Sequence, residues 1–503
     1  MILQPLLDAV LVDIGGTVVD EAPPGTAAAD LDVHLRPGAY DALVAIAAQV
    51  ALGAVTNTAT MTESDVRAVL EPSGISALLR VLVTSVDVGV GKPDPEPLTV
   101  ALAGLGLSDP TRVLYVGDRP TDAEAAKSAG MAYADSAGRS IAEAVTGWIE
   151  RTAGSRFEAA RGNVRPVDTT AAAAADTLQQ RLTKPPGALG RLESAGTKLA
   201  AIAGASPPPI PEPAVVAVFA GDHGVLDAGV SAWPQEVTAQ MVANFSHGGA
   251  AINVLARHAG AEVQVIDVGV ATPLLSDDGV LRRNVGRGTA DLSVGPAMTR
   301  TQALLALDVG VDVATGAVSG GARCLLTGDM GIGNTTPSAA LIAAVTGLPA
   351  TDVTGRGAGA DDAVLGRKID AIERALDRVP ATAGMITQLT ELGGFEIAAL
   401  AGFIVGGAAS GVPVVIDGVV AAAAALVATS ICPPAQEYLV AGHRSVEPGA
   451  SAALSYLGLE PLLDLELRLG EGSGAALALP VLQAAAKILN EMATFDSAGV
   501  TEK

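Results

Sequence analysis

Eight short apolar runs, each ending in small or polar residues, constrain the fold of this 503-residue chain more than any other feature. The first four are AVLVDI at residues 9–14, ALGAVTNT, RVLVTS and RVLYVGD; the second four are AVVAVFAGD, AEVQVIDVGV, RCLLTGD and VPVVIDG. Runs this short and this continuously apolar suit strands covered on both faces of a parallel sheet. Helical stretches such as PGAYDALVAIAAQV and TDAEAAKSAG lie between them, and strand–helix alternation builds α/β layers. Ligands of open α/β sheets sit at the carboxyl ends of the strands, so the polar residues closing these runs are the first site candidates.

One core rarely serves a chain of this length, and two domains are expected. After Trp148 the text turns to IERTAGSRFEAARGNVRPVDTTAAAAAD, with mixed charge, Gly and Pro and no strand pattern. This predicts a first unit over 1–148, a linker over 149–165 and a second unit over 166–503. Aromatic residues make up only 3% of the chain, so burial must come from Ala, Val, Leu and Ile.

A formal net charge of −23 disfavours nucleic acid and anionic membrane surfaces as partners, since both need a basic footprint. Any phosphate must then be bound by a local device. Cys324 and Cys432 are far apart and form no C-x-x-C pair, which predicts no disulfide or zinc site. The first residues, MILQPLLDAVLVDIGG, lack the basic start of a signal peptide, and VVAAAAALVATSIC is too short to span a bilayer. The expectation is a cytoplasmic protein with that tract as a buried helix.

In the first unit LVDIGGTVVD is ambiguous alone, because a strand entering D-x-G-G-T also resembles the phosphate loop of actin-like sugar kinases. AVTNT at 54–58, GKPDPEPL at 91–98 and YVGDRPTDAEAAKSAGM at 115–131 follow in order, and together the motifs resemble the haloacid dehalogenase superfamily. That resemblance implies Asp13 as nucleophile, Thr56 on the phosphate, Lys92 neutralising charge, and magnesium held by Asp13, Asp118 and Asp122. A carboxylate attacks an anionic phosphate only where cations cancel the repulsion. Phosphatases of the superfamily usually carry a second Asp two positions after the nucleophile, and here Gly15 stands there. General acid catalysis worth roughly 10²- to 10⁴-fold would be missing. The short run between Thr17 and RPGAYDAL leaves no room for a helical cap. A weak or specialised phosphatase and a catalytically silent scaffold both stay open.

In the second unit LLTGDMGIGNTTPSAALIAAVTG reads as strand, glycine loop and helix, with Thr336 and Pro337 at the N-cap and first turn. Gly331 and Gly333 let backbone N–H groups approach an anion, Thr335 and Thr336 add hydroxyls, and the helix N-terminus adds positive potential. TGRGAGADDAVLGRK brings Lys368, AGHRSVEPGA brings Ser445, and Arg468 precedes Glu471, an acid set between glycines in RLGEGSGAALALP.

TKPPGALGRLE, FAGDHGV, WPQEVTAQMV, GDMGIGNTT, TGRGAG, FIVGGAASGVPVVIDG, AGHRSVEPGA and RLGEGSGAALA resemble, in that order, the nicotinate-nucleotide:dimethylbenzimidazole phosphoribosyltransferases over about residues 165–497. The resemblance implies a parallel α/β sheet with a smaller helical subdomain, a homodimer, and no cofactor. It implies transfer of the phosphoribosyl group of nicotinate mononucleotide to dimethylbenzimidazole, giving α-ribazole phosphate and nicotinate. The azole N–H must lose its proton, and the resemblance puts Glu471 at the family's base position. The candidate phosphate and ribose set is Gly331, Gly333, Asn334, Thr335, Thr336, Lys368, Ser445 and Arg468, with Asp417, which ends a strand, either contacting the substrate or serving the structure. Met330 and Leu469 match its base-pocket positions, and Trp233 and Met241 fall where some members place polar contacts. Asp329, where some relatives have Glu, would contact ribose, assist Glu471 or hold the loop. His223 in GDHG reads as structural, and the five histidines form no H-x-H or H-x-x-x-H pair. Two further readings remain: a bifunctional chain whose first unit dephosphorylates α-ribazole phosphate, and a sensor that binds the nucleotide without turnover.

Overall fold

All eight apolar runs form strands in the computed structural model, which describes residues 2–21, 33–274 and 279–501. The chain divides into two units, Met1–Ala153 and Gly154–Lys503. The segment 149–165 expected as a linker is largely helical, holding the end of the helix Ile141–Thr152 and all of the helix Ser155–Asn163.

In the first unit β1 (Ala9–Val12), β2 (Ala51–Thr56), β3 (Val81–Thr84), β4 (Val113–Gly117) and β5 (Ala132–Asp135) form a parallel sheet in the order β3-β2-β1-β4-β5. β1 lies in the middle and is buried throughout, so Asp13, one residue past it, is delivered to the carboxyl edge. β4 is next to it, and its end brings Asp118 to the same edge. The helix that follows, α1 (Pro120–Ser128), carries Asp122 in its first turn. Part of the stretch expected to lack a cap, residues 22–32, lies outside the described residues.

In the second unit β6 (Ala214–Gly221), β7 (Ala261–Gly269), β8 (Val280–Arg282), β9 (Cys324–Met330), β10 (Val414–Ile416) and β11 (Leu439–Ala441) are ordered β11-β10-β9-β6-β7-β8, again all parallel. The register sets Phe219 of β6 opposite Asp329 of β9. Asp329 and Asp417, just beyond β10, therefore emerge on one edge.

The core is built with small residues, as the shortage of aromatics requires. The helix α2 (Arg300–Ser319) and the helix Phe395–Ala409 touch nearly backbone to backbone: a Cβ added at Gly310 would stand 1.8 Å from the Ala399 carbonyl. Among the described residues α2 alone is long and apolar enough to cross a membrane, and 61% of that window is buried inside the unit. Asp308 in its middle accepts hydrogen bonds from Gly154 N at 2.7 Å and Phe157 N at 2.8 Å, so a buried carboxylate caps the helix Ser155–Asn163. The alanine-rich tract forms the helix Val419–Ile431, buried as expected.

Candidate functional site

A cavity of about 480 Å³ opens at the carboxyl edge of the second sheet. On one wall, β9 runs into the loop 331–334 and the helix α3 (Thr335–Thr346). Gly331 is demanded by close approach, since a Cβ there would lie 2.2 Å from the Gly221 carbonyl. The N-cap is Asn334, not Thr336, which is buried within the helix and outside the lining; Pro337 follows it inside the helix. Asn334 does not cap with its side chain, because its Nδ2 donates to Asp329 Oδ2 at 2.9 Å. Among the described residues, no side chain therefore caps this helix N-terminus.

Lys368, from α4 (Asp362–Arg378), reaches the same wall and is buried. Its Nζ donates to Thr335 Oγ1 and to the Gly355 carbonyl, both at 2.8 Å. Burial holds the ammonium below its usual pKa, opposed by the nearby Glu447. Glu447 Oε1 accepts from Gly357 N at 2.8 Å and so fastens the TGRGAG loop. Ser445 and Arg468 also line this side. The cavity thus gathers a glycine loop, a helix N-terminus, a buried lysine and an arginine, which is what a phosphate requires in an acidic protein.

The floor belongs to Glu471, with only 6% of its surface exposed. Its backbone has φ +64°, a left-handed conformation rare for a non-glycine residue and costing roughly 1–3 kcal/mol. Neighbouring structure enforces it. Asp417 accepts hydrogen bonds from Gly472 N (3.2 Å), Gly474 N (2.7 Å) and Ala475 N (3.0 Å), capping the helix α5 (Ser473–Glu491), and His443 Nε2 lies 3.4 Å from the same carboxylate. The peptide of Glu471 also lies against Gly328, where a Cβ would come within 2.7 Å of the Glu471 carbonyl. Glu471 Oε2 accepts from Ile252 N at 3.3 Å. Burial raises the Glu471 pKa, the Ile252 hydrogen bond opposes this, and the charge of Asp417 reinforces it.

Asp329 stands beside it. Burial first, then Asp417, lift its pKa to about 8, against the Asn334 hydrogen bond. With its pKa at about 8, Asp329 holds its proton near neutrality. Deeper still, His223 Nε2 lies 3.0 Å from Glu396 Oε1, both side chains fully buried. Burial disfavours the imidazolium, but Glu396 and Asp222 outweigh it and raise the His223 pKa.

The remaining wall is apolar. Met241, Met330, Val237 and Leu469 line it, and Trp233 sits half-exposed at the mouth with its Nε1 donating to the Ala358 carbonyl at 3.2 Å. Of the residues singled out from sequence, the cavity brings together Glu471, Asp329, Gly331, Gly333, Asn334 and Thr335, together with Lys368, Ser445 and Arg468 and the four base-pocket residues. Thr336 and Asp417 stand behind the lining. Arg356, Glu447 and His443, which also line it, were passed over although TGRGAG and AGHRSVEPGA contain them.

The first unit holds a second, smaller cavity of about 70 Å³, lined by Asp13, Gly15, Thr56, Lys92 and Asp122 among others. Lys92 Nζ lies 2.8 Å from Asp13 Oδ1 and 2.7 Å from Asp122 Oδ1, and donates to Tyr115 Oη at 2.6 Å. Burial raises the Asp13 pKa, Lys92 opposes and Asp122 reinforces it. Asp13, Asp118 and Asp122 each offer a ligand atom within 4.8 Å of the others, an all-oxygen set that suits magnesium.

Comparison with known proteins divides along the same line. A family model described as phosphoribosyltransferase matches residues 164–500, and one described as haloacid dehalogenase-like hydrolase matches residues 7–130. The nicotinate-nucleotide–dimethylbenzimidazole phosphoribosyltransferase of Roseiflexus sp. (strain RS-1) is 56% identical over 341 residues, which is 68% of this chain and 96% of that protein. Its counterpart in Salinispora tropica is 54% identical over 355 residues, 68% of this chain and 98% of that protein. The crystal structure of the enzyme of that name from Thermus thermophilus shares 48% identity and a TM-score of 0.64, covering 67% of this chain and 100% of that one.

Proposed function

The chain belongs, through residues 164–500, to the nicotinate-nucleotide–dimethylbenzimidazole phosphoribosyltransferase family, and we propose that its second unit moves the phosphoribosyl group of nicotinate mononucleotide onto dimethylbenzimidazole. The observation that carries this reading is the buried Glu471 carboxylate in one cavity with apolar side chains and with the glycine loop, Lys368 and Arg468.

The nucleotide phosphate enters the loop 331–334, with Lys368 and Arg468 countering its charge. The flat azole lies along Met241, Met330 and Leu469, with its N–H towards Glu471. Nicotinate departs with the electron pair of the glycosidic bond on its ring nitrogen and needs no acid. As the azole nitrogen attacks C1′, Glu471 takes the N–H proton, and its charge also favours the cationic sugar of the transition state. Asp329, protonated and anchored by Asn334, leaves Glu471 as the acceptor.

Activity should depend on pH through both acids. Glu471 must be ionised, so activity rises with pH through its raised pKa; Asp329 ionises near 8, and a second negative charge beside the anionic nucleotide then weakens productive binding. The kcat/KM profile is expected to fall above about pH 8, and Asp329→Asn, which keeps the neutral form, to lose that alkaline limb while keeping the acidic one. An unchanged alkaline limb in the variant would separate Asp329 from the reaction. The function itself is tested by mass spectrometry of products formed from nicotinate mononucleotide and dimethylbenzimidazole: α-ribazole phosphate and nicotinate are expected, and recovery of unchanged nucleotide would leave the sensor reading.

For the first unit we propose phosphoryl transfer at Asp13, with Asp13, Asp118 and Asp122 holding a magnesium ion that supplies charge neutralisation. Thr56 and Lys92 receive the phosphoryl oxygens. Fusion to an enzyme whose product is a phosphomonoester suggests α-ribazole phosphate as substrate, and Gly15 argues against it.

A further inference from the structure

The cavity of the first unit is equipped to accept a phosphoryl group and poorly equipped to pass it on. Resting on the reading of Asp13 as a phosphoryl acceptor, we propose that this site takes its phosphoryl group from an activated donor, an acyl phosphate, and holds it as a long-lived aspartyl phosphate.

Gly15 stands two residues after Asp13. Among the described residues, a Cβ added there would meet nothing within 4 Å, and glycine itself brings no side chain to donate or accept a proton. Among the described residues lining the cavity, the carboxylates other than Asp13 are Asp122 and Glu21. Asp122 is tied to Lys92 at 2.7 Å and accepts from Arg119 N at 3.0 Å, while Glu21 is paired with the Arg119 guanidinium. Both are engaged elsewhere. The parts that receive charge are present, by contrast: Lys92 sits 2.8 Å from the nucleophile, and Thr56 is buried at the end of β2.

Chemistry then sorts the substrates. An Asp13 oxygen attacks phosphorus, the bond from phosphorus to the leaving oxygen breaks, and that oxygen keeps the electron pair. From an alkyl phosphomonoester it leaves as an alkoxide and must be protonated. From an acyl phosphate it leaves as a carboxylate, whose conjugate acid has a pKa of about 4, and needs no proton. The second step differs: water attacks the aspartyl phosphate and must lose a proton, after which Asp13 and inorganic phosphate are released. A base is wanted there, and position 15 supplies none. Loading is therefore fast with an acyl phosphate and unloading slow, so the covalent form accumulates.

The test uses the full-length chain with magnesium and acetyl phosphate, read by intact mass and by release of inorganic phosphate. Wild type is expected to gain the mass of one phosphoryl group with acetyl phosphate and none with glycerol phosphate; Asp13→Asn gains none. Gly15→Asp, for which the structure has room, is expected to release phosphate roughly 10²-fold faster, the lower bound for an added acid–base group, and to accumulate less of the covalent form. A wild type that stays unlabelled while Gly15→Asp turns acetyl phosphate over would overturn the proposal and spare the phosphoryl-transfer reading. If neither protein is labelled nor releases phosphate, that reading falls too. Labelling that persists in Asp13→Asn, or efficient hydrolysis of glycerol phosphate by wild type, also overturns it.

Discussion

Glu471→Gln is expected to lower kcat of the transferase by about 10²- to 10⁴-fold, the usual contribution of a positioned general base, while nicotinate mononucleotide still binds with a Kd near that of wild type. Chemistry and binding separate in this variant because of where the side chain sits. Glu471 accepts from Ile252 N while Lys368 donates to Thr335 and Gly355, so the two share no partner, and the amide keeps the shape. The oxygen of Gln can still accept from Ile252 N, so the left-handed backbone at this position keeps its support, including the three N–H bonds that Asp417 makes to the following turn. Lost are the ability to take the azole proton and the charge facing the sugar. Steady-state turnover followed by chromatography of nicotinate, alongside calorimetric titration with the nucleotide, checks it. A variant with wild-type turnover would remove Glu471 from the reaction; one with lost binding as well would place it in the nucleotide site.

The strain at Glu471 has an identifiable support. A left-handed glutamate between two left-handed glycines, Gly470 and Gly472, persists only where its surroundings over-determine it. Asp417 is the residue that does so, and sequence could not give it that role. It closes the apolar run VPVVIDG, so its place on the sheet edge was legible, but its partners Gly472, Gly474 and Ala475 lie 55 to 58 positions away. Glu447 is a similar case, since its partner Gly357 is 90 positions away.

The strands divide in the same way. β1 to β4, β6, β7, β9 and β10 include the interior of both sheets, and covering on two faces writes them as continuous apolar runs. β5, β8 and β11 are edge strands that no run announced; length does not set them apart, since β1, β3 and β10 are as short, but β5 and β8 are largely part-exposed and carry Asp135 and Arg282, so they show no continuous apolar run. At the glycine loop the strand, turn and helix are legible, but the helix start is read two residues late, at Thr336, whereas the N-cap is Asn334, whose side chain donates to Asp329 and does not cap.

Lys368→Met is expected to raise KM for nicotinate mononucleotide by roughly 10- to 100-fold, from the loss of one charge-assisted hydrogen bond worth about 1.5–3 kcal/mol, with KM for dimethylbenzimidazole nearly unchanged. An ammonium has three N–H donors. Two are committed to Thr335 Oγ1 and the Gly355 carbonyl, which fix Nζ between the glycine loop and the TGRGAG loop and leave the third for a phosphate oxygen. Methionine fills the same buried channel but leaves both acceptors unpaired and Glu447 without its nearby cation, so the melting temperature should fall as well. Lys368→Arg is not expected to rescue the nucleotide KM: the planar guanidinium is larger than the ammonium it would replace in a site where Lys368 is only 2% exposed. The azole side provides the control, because Lys368 makes its hydrogen bonds to Thr335 and Gly355 and none to Met241, Met330 or Leu469. If both Michaelis constants rose together, the lysine would be holding the whole cavity open and not reading the phosphate; if neither moved, the phosphate would have to bind elsewhere, and the glycine loop would be only a tight turn.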